Sequence, residues 1–578
     1  RCGDARAAAM TSGAPTAKPD RPWLRHYDPG VPHTLDYPEH GLFAAFAASA
    51  LQQPDAIAWE FEGGHATYAQ TLDEVLAGSR ALASLGLGAG DRVLVALPTT
   101  PHALVVLYAA ARIGVVCAFI HPLSTSTEIT HYLDATGARV VVGLDLFHPA
   151  IAAASPRQPL RHILLGRIGD YLSPLRRIAF RLLRHRQIPR IARDPRIRHW
   201  RDVLATPGAL PRDALTRGDD AAVILFSGGT TDLPKGILLS HRAIIAEGMM
   251  AAAWGGLGAG DSILAILPVF HGFGLGVCIN ATLIAGGRCL LVPRFDAHEL
   301  ARRIRRQRPN VLVGVPTLYE ALARDPALRG IDLSFLKAAF CGADTLPRSV
   351  KDAFESRVRE GGGDVRLLEG YGLTEAVTAI MAMPTASDRE GAIGLPFPDM
   401  DAKICTPDGE EQRPDGEEGE ICLSGPTLML GYLDAPDATA KALRRHRDGR
   451  IWLHTGDLGR RDADGFFYFG VRLKRMIKSS GFNVYPAQVE AVLQQHPAVA
   501  AACVIGVPDP RQVERVVAVI VPRPAQAANR RFADELIAHC QSRLIKWSCP
   551  RDIHFRDALP TTRVGKIDFR ALTEEYRR

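Results

Sequence analysis

Five short segments concentrate residues whose chemistry suits a nucleotide. The first, Phe226-Ser-Gly-Gly-Thr-Thr-Asp-Leu-Pro-Lys-Gly236, follows directly on an apolar run of strand length, Ala221–Phe226. Small residues let backbone N–H groups approach an anion, hydroxyls add donors, and a lysine adds charge. Ser227, Gly228, Gly229, Thr230, Thr231 and Lys235 are therefore a candidate triphosphate cradle, although the G-x-x-x-x-G-K-[ST] spacing of a P-loop is absent. The second segment is Glu369-Gly-Tyr-Gly-Leu-Thr-Glu375. Tyr371, between Gly370 and Gly372, can present a flat face to a base. Thr374 can donate to a phosphate, and Glu375 is a candidate Mg²⁺ ligand. The third is Thr455-Gly-Asp457, where an acid on a tight turn can accept two hydrogen bonds from a ribose diol. The fourth runs from Arg472 through Lys474 and Lys478 into Ser-Ser-Gly-Phe-Asn-Val-Tyr-Pro486. The fifth, Thr561-Thr-Arg-Val-Gly-Lys566, places a lysine beside a glycine, able to reach negative charge developing on phosphorus. Each has a plain alternative when taken alone: a Gly/Thr turn, a strand-to-helix turn capped by Thr374, a Thr-Gly-Asp turn, a solvated basic linker and a solvated lysine.

The elements that must position these segments are legible from periodicity. Gly41–Gln53 and Tyr68–Leu85 read as helices, and a third ends near Ile113. Ala56–Phe61, Arg92–Leu97, Val115–Ile120 and Arg139–Val142 read as strands. Strands alternating with helices predict parallel α/β layers, and the rhythm returns over 262–345. From about 401, short strands separated by Asp/Gly turns predict an antiparallel β subdomain. After Val471 a small α+β region with its own helices and strands follows. The predicted fold class is thus α/β: a large N-terminal domain of layered α/β subdomains plus a β subdomain, over 41–472, and a small mobile α+β C-terminal domain over 473–578. Residues 1–40 are expected to be an extension, partly disordered, with Met10 a candidate start.

Composition narrows the field. At 578 residues the chain is too long for a single core, and 23% charged against 47% hydrophobic residues indicates a folded protein. No uncharged run of 18 apolar residues appears, so no transmembrane helix is expected. The ten cysteines form no C-x-x-C pair, which argues for buried thiols in a cytoplasmic protein and against a zinc site. Only ten of the 69 basic residues are lysines, and four of these, at 235, 474, 478 and 566, fall inside the five segments. The net charge of +7 is uneven: Arg161–Arg201 alone carries +10, so the rest is slightly acidic. No nucleic-acid partner is indicated.

Taken together and in order, the five segments resemble the core motifs of the adenylate-forming superfamily, which includes acyl- and aryl-CoA synthetases, luciferases and peptide-synthetase adenylation domains. The resemblance spans roughly residues 40–575. Gly419–Pro426, Gly431-Tyr432 and Val507-Pro-Asp509 add to it. One departure is Asp232, where the family's phosphate loop usually has glycine. The resemblance implies ATP and Mg²⁺ as cofactors and coenzyme A as co-substrate. It places the β- and γ-phosphates on Ser227–Thr231 and Lys235, and Mg²⁺ at Glu375 and Thr374. Adenine falls to Gly342, Ala343, Asp344, Gly370 and Tyr371, within the Gly370–Gly372 strand end. The ribose falls to Asp457 and Arg472. Lys566 would bridge carboxylate and α-phosphate. The small domain would then turn about Lys474 and bring the Lys478–Pro486 face to the thiol. His271, in Leu267-Pro-Val-Phe-His-Gly-Phe-Gly-Leu275, matches an aromatic that gates the carboxylate.

The substrate is expected to be a medium- or long-chain fatty acid. The segment after Pro268 offers no acid to hold an ammonium, and Val313–Leu322 is similar to long-chain acyl-CoA synthetases. Val277, Val313 and Val315 with Gly274 and Gly314 are candidate tunnel residues. The alternatives are an aryl-CoA ligase, a ligase loading a carrier protein's phosphopantetheine, a luciferase-like oxidase and a degenerate ATP-binding regulator. Finally, Tyr171–Arg184 sets Leu175, Ile178, Leu182 and Leu183 on one helix face among Arg176, Arg177, Arg181 and Arg184. It is either a packed surface helix or a peripheral contact, through 171–201, with the inner membrane surface.

Overall fold

Runs such as Arg-Val-Leu-Val-Ala carry no polar face, and a strand of this kind is stable only when covered on both sides. The structure, a computed structural model, describes residues 21–184, 189–227, 234–387, 389–472, 475, 477–479, 482–484, 486–509, 513–524, 526–544, 546, 548–561 and 567–577. Strand Arg92–Ala96 sits in the middle of an eight-stranded sheet, paired in parallel with Val116–Phe119 and Val140–Leu144. Its side chains alternate between two cores. Val93 and Val95 join the main core, while Leu94 and Ala96 join a second one with Ile129 and Leu133 of helix Ser126–Thr136.

The main core is shared with a fourteen-stranded sheet. Six of its strands pair in parallel, Ile57–Phe61, Arg288–Leu291, Ser262–Ala265, Val311–Gly314, Ala338–Cys341 and Leu367–Gly372. The sheet then turns antiparallel through Ala379–Ala382 and Ala392–Pro396 into the predicted β subdomain, Asp401–Cys405, Gly419–Ser424, Ile451–Arg461 and Phe467–Arg472. Helix Pro101–Arg112 is buried almost all round, as its uniformly apolar sequence requires. Residues 21–40 lie along the β subdomain: Trp23 is buried, Arg21 pairs with the buried Asp401, and the Tyr27 hydroxyl donates to Pro396 O at 2.6 Å.

A smaller C-terminal domain has its own five-stranded sheet, built on the long hairpin Val499–Asp509 and Val513–Pro522. One sheet face packs Val504, Val516, Ala518 and Ile520 against helices Pro486–Gln494 and Arg530–Gln541. The opposite face packs Ile505, Val507, Val517 and Val519 against Leu572. Among the described residues no helix is long and apolar enough to cross a membrane.

Helix Pro174–Arg184 lies at the surface of the N-terminal domain, packed against it on one side only. Leu175, Ile178 and Leu182 are 83%, 58% and 71% exposed, while Phe180 packs on the main core and Arg176 pairs with Glu62. The segment Phe273–Ala281 winds as a π-helix against helix His241–Gly255. Between them lies Glu247, fully buried. Ala379 N–H donates to its Oε1 at 3.2 Å, and Oε2 has no partner among the described residues. A Cβ at Gly276 would fall 2.2 Å from Oε2, so only glycine leaves room for this carboxyl.

Burial pushes the Glu247 carboxyl up to about 8 from 4.5, the Ala379 bond offsetting only part of the cost. A raised folded value means that its contribution to stability is full below about pH 4.5 and is lost as pH rises through about 8. Glu247→Gln removes the titration. Thermal denaturation between pH 5 and 8 is expected to show a shallower loss for the variant and a gain on the order of 2 kcal/mol at pH 8. Parallel curves for the two proteins contradict the assignment.

Candidate active site

The phosphate segment begins and ends on paired strands. Strands Ala221–Ser227 and Lys235–Ser240 pair antiparallel, with Ser227 opposite Lys235. Gly228, Gly229, Thr230, Thr231 and Asp232 lie outside the described residues, as does the side chain of Ser227. Lys235 is exposed, and its ammonium stands 5.6 Å from the centre of the Tyr432 ring. Tyr432 reaches this position because Gly431–Tyr432 adds as an edge strand, Tyr432 opposite Ile237. Its hydroxyl donates to Glu375 Oε1 at 2.9 Å.

The second wall lies at the carboxyl ends of two neighbouring parallel strands, where open α/β sheets bind ligands. Gly342, Ala343 and Asp344 follow strand Ala338–Cys341, and Gly370, Tyr371 and Gly372 end strand Leu367–Gly372. Ala343 is left-handed at φ +73°. A Cβ at Gly372 would lie 1.3 Å from Thr378 O, so the close return of the chain requires glycine there. Thr374–Ala376 then makes one 3-10 turn, pinned by Met429 N–H donating to Glu375 O at 2.8 Å.

The third wall is Asp457, fully buried, in strand Ile451–Arg461 opposite Arg472. The Tyr371 hydroxyl donates to Asp457 Oδ2 at 2.7 Å, tying the second segment to the third. The turn before Asp457 is held from behind. Gly456 N–H donates to Glu420 Oε1 and His454 Nδ1 meets Glu420 Oε2, both at 2.8 Å. Burial pushes the Glu420 carboxyl up, yet these two hydrogen bonds keep it below its usual value. His446 Nε2 lies 2.9 Å from His454 Nε2, and burial lowers His446 to about 4, so it stays neutral.

His271 opens the π-helix, its Nδ1 accepting from Phe273 N–H at 3.2 Å. A Cβ at Gly342 would lie 3.2 Å from Phe273, and one at Gly272 would overlap Val377 O, so the His271 segment abuts the second wall at two places. The structure thus brings together Lys235, Glu375, Gly342–Asp344, Gly370–Gly372, Asp457 and His271. Lys566 and the predicted hinge Lys474 lie outside the described residues, as do the side chains of Arg472 and Lys478, although Thr561, the first residue of the fifth segment, pairs with Ile567 just beyond it. Sequence reasoning gave no role to Tyr432 or Glu420. Both stand in quoted segments, Gly431-Tyr432 and Gly419-Glu420, but their partners are distant in the chain.

The donor set fits a hard cation. Glu375 is half-exposed, only its Oε1 is engaged, and Oε2 takes no hydrogen bond among the described residues. A partly exposed carboxylate oxygen is the kind of hard donor that would hold Mg²⁺.

A lysine-bearing hairpin, the ends of two parallel strands and a buried aspartate thus meet in one region, the arrangement expected of an ATP-dependent carboxylate-activating ligase. Comparison with known proteins gives the same class. Residues 46–433 match the AMP-binding enzyme family and residues 488–566 the AMP-binding enzyme C-terminal domain. A long-chain-fatty-acid–CoA ligase of Bacillus subtilis (strain 168) is 34% identical over 568 residues, covering 96% of this chain and 98% of that protein. A feruloyl-CoA synthase of Amycolatopsis sp is 32% identical, covering 90% and 95%. The crystal structure of ATP-bound MatB from Rhodopseudomonas palustris superposes with a TM-score of 0.77 at 26% identity, over 93% of this chain and 99% of that one. The chain belongs to the AMP-binding enzyme family of acid–thiol ligases.

Proposed function

We propose that the protein is a fatty acid–CoA ligase that forms acyl-AMP from a medium- or long-chain fatty acid and ATP, then transfers the acyl group to coenzyme A. The observation that carries this reading is the meeting of Lys235, Glu375 and Asp457 around one crevice, linked through Tyr432 and Tyr371. The full-length similarity to a long-chain-fatty-acid–CoA ligase supports the substrate class. The feruloyl-CoA synthase keeps an aryl acid as the second reading.

In the first step a substrate carboxylate oxygen attacks the α-phosphorus. The P–O bond to the β-phosphate breaks, and pyrophosphate leaves with the electron pair. Both reactants are anionic, so positioning and charge neutralisation supply the catalysis. Lys235 with Ser227–Thr231 holds the β- and γ-phosphates. Gly342–Asp344 and Gly370–Gly372 hold adenine, Asp457 and Arg472 hold the ribose, and His271 gates the carboxylate. Glu375 and Thr374 would hold Mg²⁺, which when bound offsets phosphate charge. Lys566 bridges carboxylate and α-phosphate. In the second step the thiol attacks the acyl carbon and AMP leaves. For this the domain 473–578 turns on 41–472 about Lys474, withdrawing Lys566 and presenting the Lys478–Pro486 face.

Lys566→Ala separates the two steps. Adenylate formation, followed as pyrophosphate release, is expected to fall about 100-fold or more, while thioesterification of supplied acyl-AMP is much less affected. Equal loss in both assays contradicts the role.

We also propose that helix Pro174–Arg184 rests on anionic lipid at the inner membrane surface. Its exposed Leu175, Ile178 and Leu182 suit the acyl boundary, and the arginine-rich 161–201 segment suits the headgroups. Each arginine at such a surface contributes about 1 kcal/mol, attenuated by salt. Sedimentation with vesicles is expected to show binding to anionic but not neutral lipid, released at high salt. No binding, or binding indifferent to lipid charge, contradicts it.

A further inference from the structure

We propose that Tyr432 is a positioning residue for ATP and metal: it sets the Glu375 carboxylate and the Lys235 ammonium relative to one another. The inference rests on the roles given above to Glu375 and Lys235. Those residues lie 140 positions apart in the sequence, Lys235 at the start of strand Lys235–Ser240 and Glu375 in the 3-10 turn Thr374–Ala376. Tyr432 touches both, through its hydroxyl to Glu375 Oε1 at 2.9 Å and through its ring beneath Lys235 Nζ at 5.6 Å, within reach of a cation–π attraction.

The ring is fixed from its own backbone. Leu430 N–H donates to Leu238 O and Leu433 N–H to Gly236 O, each at 2.8 Å, so the residues on both sides are tied to the lysine's strand. Tyr432 N–H donates to Thr439 Oγ1 at 2.9 Å. Met429 N–H ties the same segment to the Glu375 carbonyl. Five residues therefore clasp the phosphate hairpin to the Thr374–Ala376 turn. Holding Oε1 in this way leaves Oε2 as the oxygen that would take a metal, and hydrogen bonds to a ligating carboxylate commonly set metal affinity.

Two substitutions separate the contacts. Tyr432→Phe removes the hydroxyl and keeps the ring; Tyr432→Leu removes both. The readout is Mn²⁺ binding, by electron paramagnetic resonance, to the full chain with a non-hydrolysable ATP analogue, beside analogue binding without metal. Tyr432→Phe is expected to weaken Mn²⁺ about tenfold, leaving metal-free analogue binding and the melting temperature close to wild type. Tyr432→Leu is expected also to weaken metal-free analogue binding by about threefold. If Glu375→Gln weakens Mn²⁺ but Tyr432→Phe does not, the positioning role is overturned while the metal assignment stands. If Glu375→Gln binds Mn²⁺ as wild type does, the metal assignment is overturned and this proposal with it.

Discussion

The short pairing of Gly431–Tyr432 with Lys235–Ser240 is the contact on which the site depends. The two large sheets meet across a shared core, but apolar packing is non-directional and cannot set two polar groups at a fixed distance. Hydrogen bonds can. The chain leaves strand Gly419–Ser424 in one sheet and crosses to the edge of the other. On the way it bonds the Glu375 carbonyl through Met429 and the phosphate hairpin through Leu430 and Leu433. The strand that carries Lys235 and the turn that carries Glu375 are thereby tied to one another through one short segment, and preorganisation of this kind is what charge neutralisation at a reacting centre requires.

A similar economy operates at the nucleoside end. Asp457 is buried, yet its turn is held by a carboxylate and two imidazoles that never face the crevice. Glu420 takes Gly456 N–H and His454, and His454 leans on His446. The Tyr371 hydroxyl then couples this turn to the strand that ends in Gly370–Gly372. Buried polar networks of this sort are costly when broken, so each member constrains the next.

The strands and helices around the site were legible because their cause is local. Arg92–Leu97 and Tyr68–Leu85 declare themselves through a continuous apolar run and a helical repeat, and they form Arg92–Ala96 and Tyr68–Ser84. The motif residues were legible by type and spacing. Partnerships across long sequence separation were not: nothing near Glu420 announces His454, and nothing near Tyr432 announces Glu375. The amphipathic helix shows a further limit. Its apolar stripe, read from spacing, gives no sign of which way the stripe faces, and the fold leaves Leu175, Ile178 and Leu182 outward. The π-helix at Phe273–Ala281 was equally hidden, because its wider turn leaves no period that a 3.6-residue repeat would reveal.

The most direct test of this account is a panel of carboxylic acids incubated with ATP and Mg²⁺, with and without coenzyme A, following pyrophosphate and thioester together. Medium- and long-chain fatty acids should release pyrophosphate, and with coenzyme A should give acyl-CoA and AMP in equal amounts. Pyrophosphate release confined to aryl acids would contradict the substrate class. Release without acyl-CoA would contradict the acceptor, and no release with any acid would contradict the ligase assignment.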